Sequence, residues 1–137
     1  MSFTKVVQPV LDRNCIRCHD GDSEKKHPAD FRGGKMVVAP NSGDSDEGPQ
    51  HKVSTSFLEV LKHVKVLRFT GYAGRKLPLD AYEVGSAVSP LMQMLKKGHK
   101  DIKLSDADWQ ALAAWIDCNA PYFGSYDDDF LANSDGK

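Results

Sequence analysis

VVQPVLDRNCIRCH, residues 6–19, decides how the rest of the chain is read. Val6, Val7, Val10 and Leu11 recur at helical spacing and predict a short helix. Pro9 fits it if the helix begins close by, because a first-turn position has no N–H partner to lose. The helix runs into Cys15-Ile16-Arg17-Cys18-His19, a C-x-x-C-H motif. Two cysteines three apart at a helix end turn their sulfurs to one side. Both can then bond the two vinyl groups of one haem, and the following histidine can turn under the iron as proximal ligand.

Two other readings of the cysteines compete. A thioredoxin-type C-x-x-C follows a strand in an alternating βα pattern, which is absent here. A zinc site needs four ligands and normally a second spaced pair, and the sequence offers only Cys118 and distant histidines. Charged Arg17 and Asp20 also argue against a plain buried stretch. Haem c, attached through Cys15 and Cys18 with His19 on the iron, is therefore the reading the motif supports.

The remaining composition agrees with a small domain. The chain has 137 residues, 40% apolar and 27% charged, which suits a single domain spanning 1–137. The formal net charge of −1 gives no basic surface of the kind nucleic acid requires. No apolar run approaches the ~18 residues of a membrane span. Met1-Ser2-Phe3-Thr4 lacks the basic and apolar regions of a signal peptide. Covalent haem attachment takes place outside the cytoplasmic membrane. A periplasmic or otherwise extracytoplasmic mature form, or an excised domain, is thus expected.

Three more helices are predicted. One starts at Ser56 with Glu59 as a capping box and carries Phe57, Leu58, Val60, Leu61 and Val64. One starts at Ser89 with Pro90 at its first position and stops at Gly98. The last starts at Ser105, with Asp108 suited to its N-terminus, and ends at Asn119 and Pro121. Its stripe is Trp109, Leu112, Ala113 and Ile116, with Trp115 adjoining. Strand signals are few. Residues 24–53 read as a loop-rich insertion, with 41–52 a mobile surface loop, and 127–137 as an acidic tail. A loop-rich chain with a thin core needs a large apolar group to fold around.

The iron's second axial ligand is the open question. His27, His51, His63, His99, Met36, Met92 and Met94 are the candidates. His27 lies close to His19 in a polar stretch, His51 in the mobile loop, and His63 beside Lys62 and Lys65. Met92 and Met94 face different ways on one helix, so at most one can reach the iron. His99 follows a helix-ending glycine and precedes a short connection, a place from which a ligand can reach over a haem opposite His19. Position favours His99, with Met92 or Met94 as alternatives.

SPLMQMLKKGHKDIKLSDADWQALAAWIDCNAPYFGSY, residues 89–126, adds a family likeness. Ser89, Leu91, Leu95, Gly98 and His99, then Trp115, Ile116, Asp117, Asn119, Ala120, Pro121, Tyr122 and Gly124, carry it. The segment resembles the C-terminal mono-haem cytochrome c domain of the hydrazine synthase alpha subunit and related domains of large planctomycete proteins. The likeness covers roughly residues 4–22 and 54–126 and leaves 24–53 unmatched. It implies a bis-histidine haem, here with His99 opposite His19. Cys118 departs from it, since an apolar non-sulfur residue is expected there; its simplest role is a small buried residue.

These readings together predict a mainly α, class I cytochrome c-like fold of about four helices, with long loops around one covalent haem. The expected role is an electron-transfer module rather than an enzyme. Its partner would be a redox protein or a covalently linked enzyme domain. Trp109, Trp115, Tyr82 and Phe31 are candidate walls for the haem, and Arg68, Arg75 and Lys76 candidate partners for its carboxylates. The alternatives are a haem enzyme or small-ligand sensor with an open or labile sixth position, and a binding module using Tyr122, Phe123 and Tyr126.

Overall fold

The structure, a computed structural model, describes residues 1–22, 29–39, 51–67 and 79–125. His27, Arg68, Arg75, Lys76, Tyr126, most of the 41–52 loop and the 127–137 tail lie outside the described residues. The described fold is mainly α. A π-helical turn over Phe3–Val7 leads into α1, Gln8–Asn14. Strands β1, Met36–Val38, and β2, Lys52–Ser54, form an antiparallel pair with Val37 opposite Val53. Helix α2, Thr55–Leu61, follows at once; α3 is Pro90–Lys97 and α4 is Asp106–Asp117.

Pro9 stands in the first turn of α1, as its ring requires. Helices α3 and α4 start after Ser89 and Ser105, and α3 stops at Gly98, as their sequence signals predict. The start of α2 is different. Ser54 caps it, accepting the Phe57 N–H at 3.3 Å, while Ser56 lies inside the helix. Ser56 is spent on tertiary structure: its hydroxyl donates to Gln8 Oε1 at 2.7 Å. Glu59 pairs with Lys62 instead of closing a capping box. Two serines two apart both look like caps, and only packing selects one.

The core lies between the N-terminal segment and α4. Phe3, Val7, Val10 and Leu11 are buried against Leu112, Trp115 and Ile116. Phe3 stacks with Tyr122 at 5.9 Å between centroids, and its N–H donates to the Tyr122 carbonyl at 3.0 Å. The first and last helices are also joined by charge. Arg13, in the last turn of α1, bonds the Asp108 carboxylate, which also accepts from Asn14 Nδ2 at 3.2 Å.

The Arg13 guanidinium holds the Asp108 carboxyl below its ordinary range; burial opposes this and Asn14 assists. A depressed carboxyl stabilises the fold above the unfolded value of about 4 and loses that contribution as pH falls through the folded value. Asp108→Asn is expected to cost about 1–2 kcal/mol at neutral pH, because one partner is largely solvated. Thermal melts of parent and variant should converge between neutral pH and about pH 3; a constant gap would contradict this role.

The stretch from Trp115 to Tyr122 acts as a structural clasp. Trp115 Nε1 donates to the Pro121 carbonyl at 2.9 Å. Asp117 accepts from the Ser86 N–H at 2.7 Å and its hydroxyl at 2.9 Å. Asn119 exchanges two hydrogen bonds with the Leu67 backbone, and Tyr122 Oη accepts the Ser54 N–H at 3.1 Å. Asp117, Asn119 and Tyr122 each tie down a different segment, while Trp115 closes the run on itself. None of the run lines the cleft described below.

Candidate functional site: a histidine-lined apolar cleft

The C-x-x-C-H motif is wound into a tight turn at the end of α1. Cys15 N–H donates to the Leu11 carbonyl at 2.7 Å. The Cys15 carbonyl in turn accepts from Cys18 N–H at 3.1 Å and His19 N–H at 3.0 Å. Both cysteines are half-buried free thiols. Burial, with the neighbouring Cys18 adding to it, pushes the Cys15 thiol up to about 11, so it is protonated at neutral pH. A proton-bearing Cys15 is unlike the low-pKa thiolates of redox-active C-x-x-C pairs.

The chain after the motif folds back to build a wall. Phe31 N–H donates to the His19 carbonyl at 2.9 Å, and Asp20 and Asp30 form a β-bridge. Gln8 fastens this return, with Nε2 donating to the Phe31 carbonyl at 2.8 Å and to Asp12 Oδ1 at 2.8 Å. Phe31 is thereby held 4.8 Å from His19, centroid to centroid.

Helix α3 supplies the facing wall. Leu91, Met94 and Leu95 share a face by their i, i+3, i+4 spacing, and all three line a cleft with Cys15, His19 and Phe31. Met92 points the other way and is buried in the core. Gly98 then ends the helix with φ of 96° and ψ of 130°, a conformation that side chains rarely adopt. That turn aims His99 into the same cleft. The His19 and His99 rings lie 6.1 Å apart between centroids, with their planes inclined at 20°. Face-to-face contact would bring them to about 4 Å. Two imidazoles on one metal ion, each with a bond of about 2 Å, stand roughly 6 Å apart between ring centres.

A Cβ at position 98 would meet no atom within 4 Å, so any cost of Gly98→Ala is conformational. It is expected to destabilise the protein by about 1–2 kcal/mol and to disturb His99 before any other cleft residue. Chemical denaturation reads the first effect and the haem-region absorption spectrum the second. An unaltered spectrum would show that the glycine does not aim the histidine.

The cleft has a cavity volume of about 120 Å³ and opens to solvent. Among the described residues, its walls are apolar except for Cys15 and three histidines, His19, His63 and His99. Comparison with protein-family models, with curated proteins and with solved structures finds no match. Among the described residues, no three His, Cys, Asp or Glu side chains are placed to hold a metal ion by themselves. A haem asks for less: two axial imidazoles, two thiols and an apolar slot. His19, His99, Cys15 and the Leu11, Phe31, Val60 and Leu91 walls fit that demand. Cys18 is not on the cleft wall but lies one turn from Cys15.

The structure sorts the other candidates. Met94 lines the cleft and Met92 does not; Met36 is exposed on β1. His51 departs from the expected mobile loop: its carbonyl accepts the Ala39 N–H at 2.7 Å and its ring packs on Phe123, away from the cleft. Of the four aromatics expected to wall a haem, only Phe31 lines the cleft. Trp115 is fully buried at the centre of the core, Trp109 lines a separate groove with Met92, and Tyr82 is exposed. Tyr122, expected as an exposed binding aromatic, is buried under Phe3 and Phe57. Cys118 is exposed at the C-cap of α4, not buried, because the helix ends there and the chain turns through left-handed Asn119 and Ala120. In sequence His63 lies beside Lys62 and Lys65. It is exposed, yet it also lines the cleft.

Proposed function

We propose that the chain is a c-type cytochrome domain that transfers electrons through one covalently attached haem, with His19 and His99 on the iron. One observation carries the reading: His19 and His99 face each other at 6.1 Å across an apolar cleft that also bears Cys15 of the C-x-x-C-H motif. Cys15 and Cys18 would hold the haem through thioether bonds. The bound group supplies an iron that passes one electron at a time between ferric and ferrous states.

The protein's own residues keep that iron in a narrow role. Two imidazoles leave no open coordination position, which disfavours substrate chemistry and sets a lower potential than a methionine ligand would. Leu11, Phe31, Val60 and Leu91 exclude water from the slot. The end of α1 and the return of Phe31 onto the His19 carbonyl, fastened by Gln8, hold the C-x-x-C-H turn in place. The reading further places the domain in a class I cytochrome c-like fold, outside the cytoplasm, serving a redox protein or a linked enzyme domain. Among the described residues, no helix is long and apolar enough to cross a membrane.

Absorption spectra of oxidised and reduced protein, made with cytochrome c maturation machinery, test the reading. Low-spin spectra in both states and no rapid CO binding by the reduced form are expected. A high-spin parent that binds CO readily would replace the relay by a ligand-binding or catalytic haem.

A further inference from the structure

Resting on the reading of a haem held by His19 and His99, we propose that His63 is the carboxylate subsite of the cleft, the side chain that binds a haem propionate. A haem carries two carboxylates, and burying either against apolar wall without a partner is costly. The wall offers them little. Once His19, His99 and Cys15 are engaged, His63 is the one remaining polar side chain among the described residues that line the cleft. It is also exposed, so it stands where the cleft meets water.

Its place in the fold suits an edge group rather than an axial one. His63 follows α2, and its carbonyl accepts the Leu91 N–H at 2.9 Å, which docks it at the start of α3. His99 follows the opposite end of that helix, roughly 12 Å away along an eight-residue rise. Lys62 and Lys65 flank His63 and are exposed. Lys62 is bridged to Glu59, and the Lys65 N–H donates to Ser89 Oγ at 2.9 Å. A donor with an exposed cation, Lys65, two residues on suits an anionic group better than a neutral one.

A hydrogen bond from His63 draws charge out of the propionate, and its loss leaves more negative charge near the iron. The ferric state is then favoured and the potential falls. The test is redox potentiometry and absorption spectroscopy of the haem-loaded full chain, for the parent, His63→Leu and His63→Gln at one neutral pH. His63 is exposed, so neither substitution opens a cavity. The expected result is a low-spin spectrum in all three, a lower midpoint potential in H63L, and partial recovery in H63Q, which keeps a donor. A parental potential in H63L, or an equal fall in both variants, would overturn the subsite and leave the proposed function standing. A high-spin spectrum in H63L would make His63 itself an axial ligand and overturn the subsite and the His99 assignment together.

Discussion

Replacing His99 with alanine is expected to turn the haem-loaded protein from low-spin to high-spin and to let the reduced form bind CO. The imidazole of His99 faces that of His19 at 6.1 Å, and both line the same apolar cleft. On the proposed reading, removing it takes away one axial ligand without touching the thioether attachment at Cys15 and Cys18. On the same reading Met94 is the next side chain able to reach the iron, since it lines the cleft while Met92 is buried elsewhere. Capture by Met94 would keep the spectrum low-spin but raise the potential. The double variant His99→Ala with Met94→Ala removes that route and is expected to be high-spin in either case. A double variant that stays low-spin and refuses CO would place the second ligand elsewhere, with His63 the first to test.

The largest expected loss of stability is at Trp115. Its ring is fully buried, 5.5 Å from Phe3 and 6.3 Å from Phe57 between centroids, and its Nε1 donates to the Pro121 carbonyl. Trp115→Ala opens a cavity under the N-terminal segment and strips a donor from that carbonyl. Such truncations cost about 3–5 kcal/mol, a large part of the roughly 5–15 kcal/mol that holds a small domain together. Denaturant unfolding followed by circular dichroism measures it; a loss under about 1 kcal/mol would contradict the core assignment. The haem spectrum should be unchanged wherever the variant is folded, because Trp115 does not line the cleft. A spectral shift in folded protein would return Trp115 to the haem wall.

Much of this arrangement was legible in the sequence where the signal is local. The C-x-x-C-H turn, the Ser89-Pro90 start and Gly98 stop of α3, and the Ser105 start of α4 are set by residues within one turn of each other. His99 could be singled out for the same reason: a glycine stop fixes where the next side chain points. What the sequence hid depends on pairing across the fold. Ser54 rather than Ser56 caps α2 because Gln8 claims Ser56. Trp115 reads as a neighbour of the α4 stripe but becomes its centre, since Phe3 and Phe57 close over it from two other segments. His63 reads as a solvated residue between lysines until the Leu91 N–H docks it beside α3.

The aromatics in the last turn of α4 and just after it carry a related lesson. Trp115, Tyr122 and Phe123 invite a ligand-binding interpretation, as aromatics beside a candidate cofactor motif do. The structure spends the Trp115 and Tyr122 polar atoms on the Pro121 carbonyl and the Ser54 N–H instead. A residue pattern can therefore be tightly constrained for reasons of folding alone, with the chemistry left to a few side chains on another face. On the proposed reading those are Cys15, His19, His63 and His99, the polar side chains among the described residues of the cleft.

The most direct test of the central claim is the mass and alkaline pyridine spectrum of the full chain, made with cytochrome c maturation machinery and then denatured. One haem retained per chain through acid–acetone extraction, with the spectrum of two thioether bonds and its loss in the Cys15→Ser, Cys18→Ser double variant, is the predicted result. A chain that leaves the same machinery at its unmodified mass, or releases all its haem on extraction, would contradict the account.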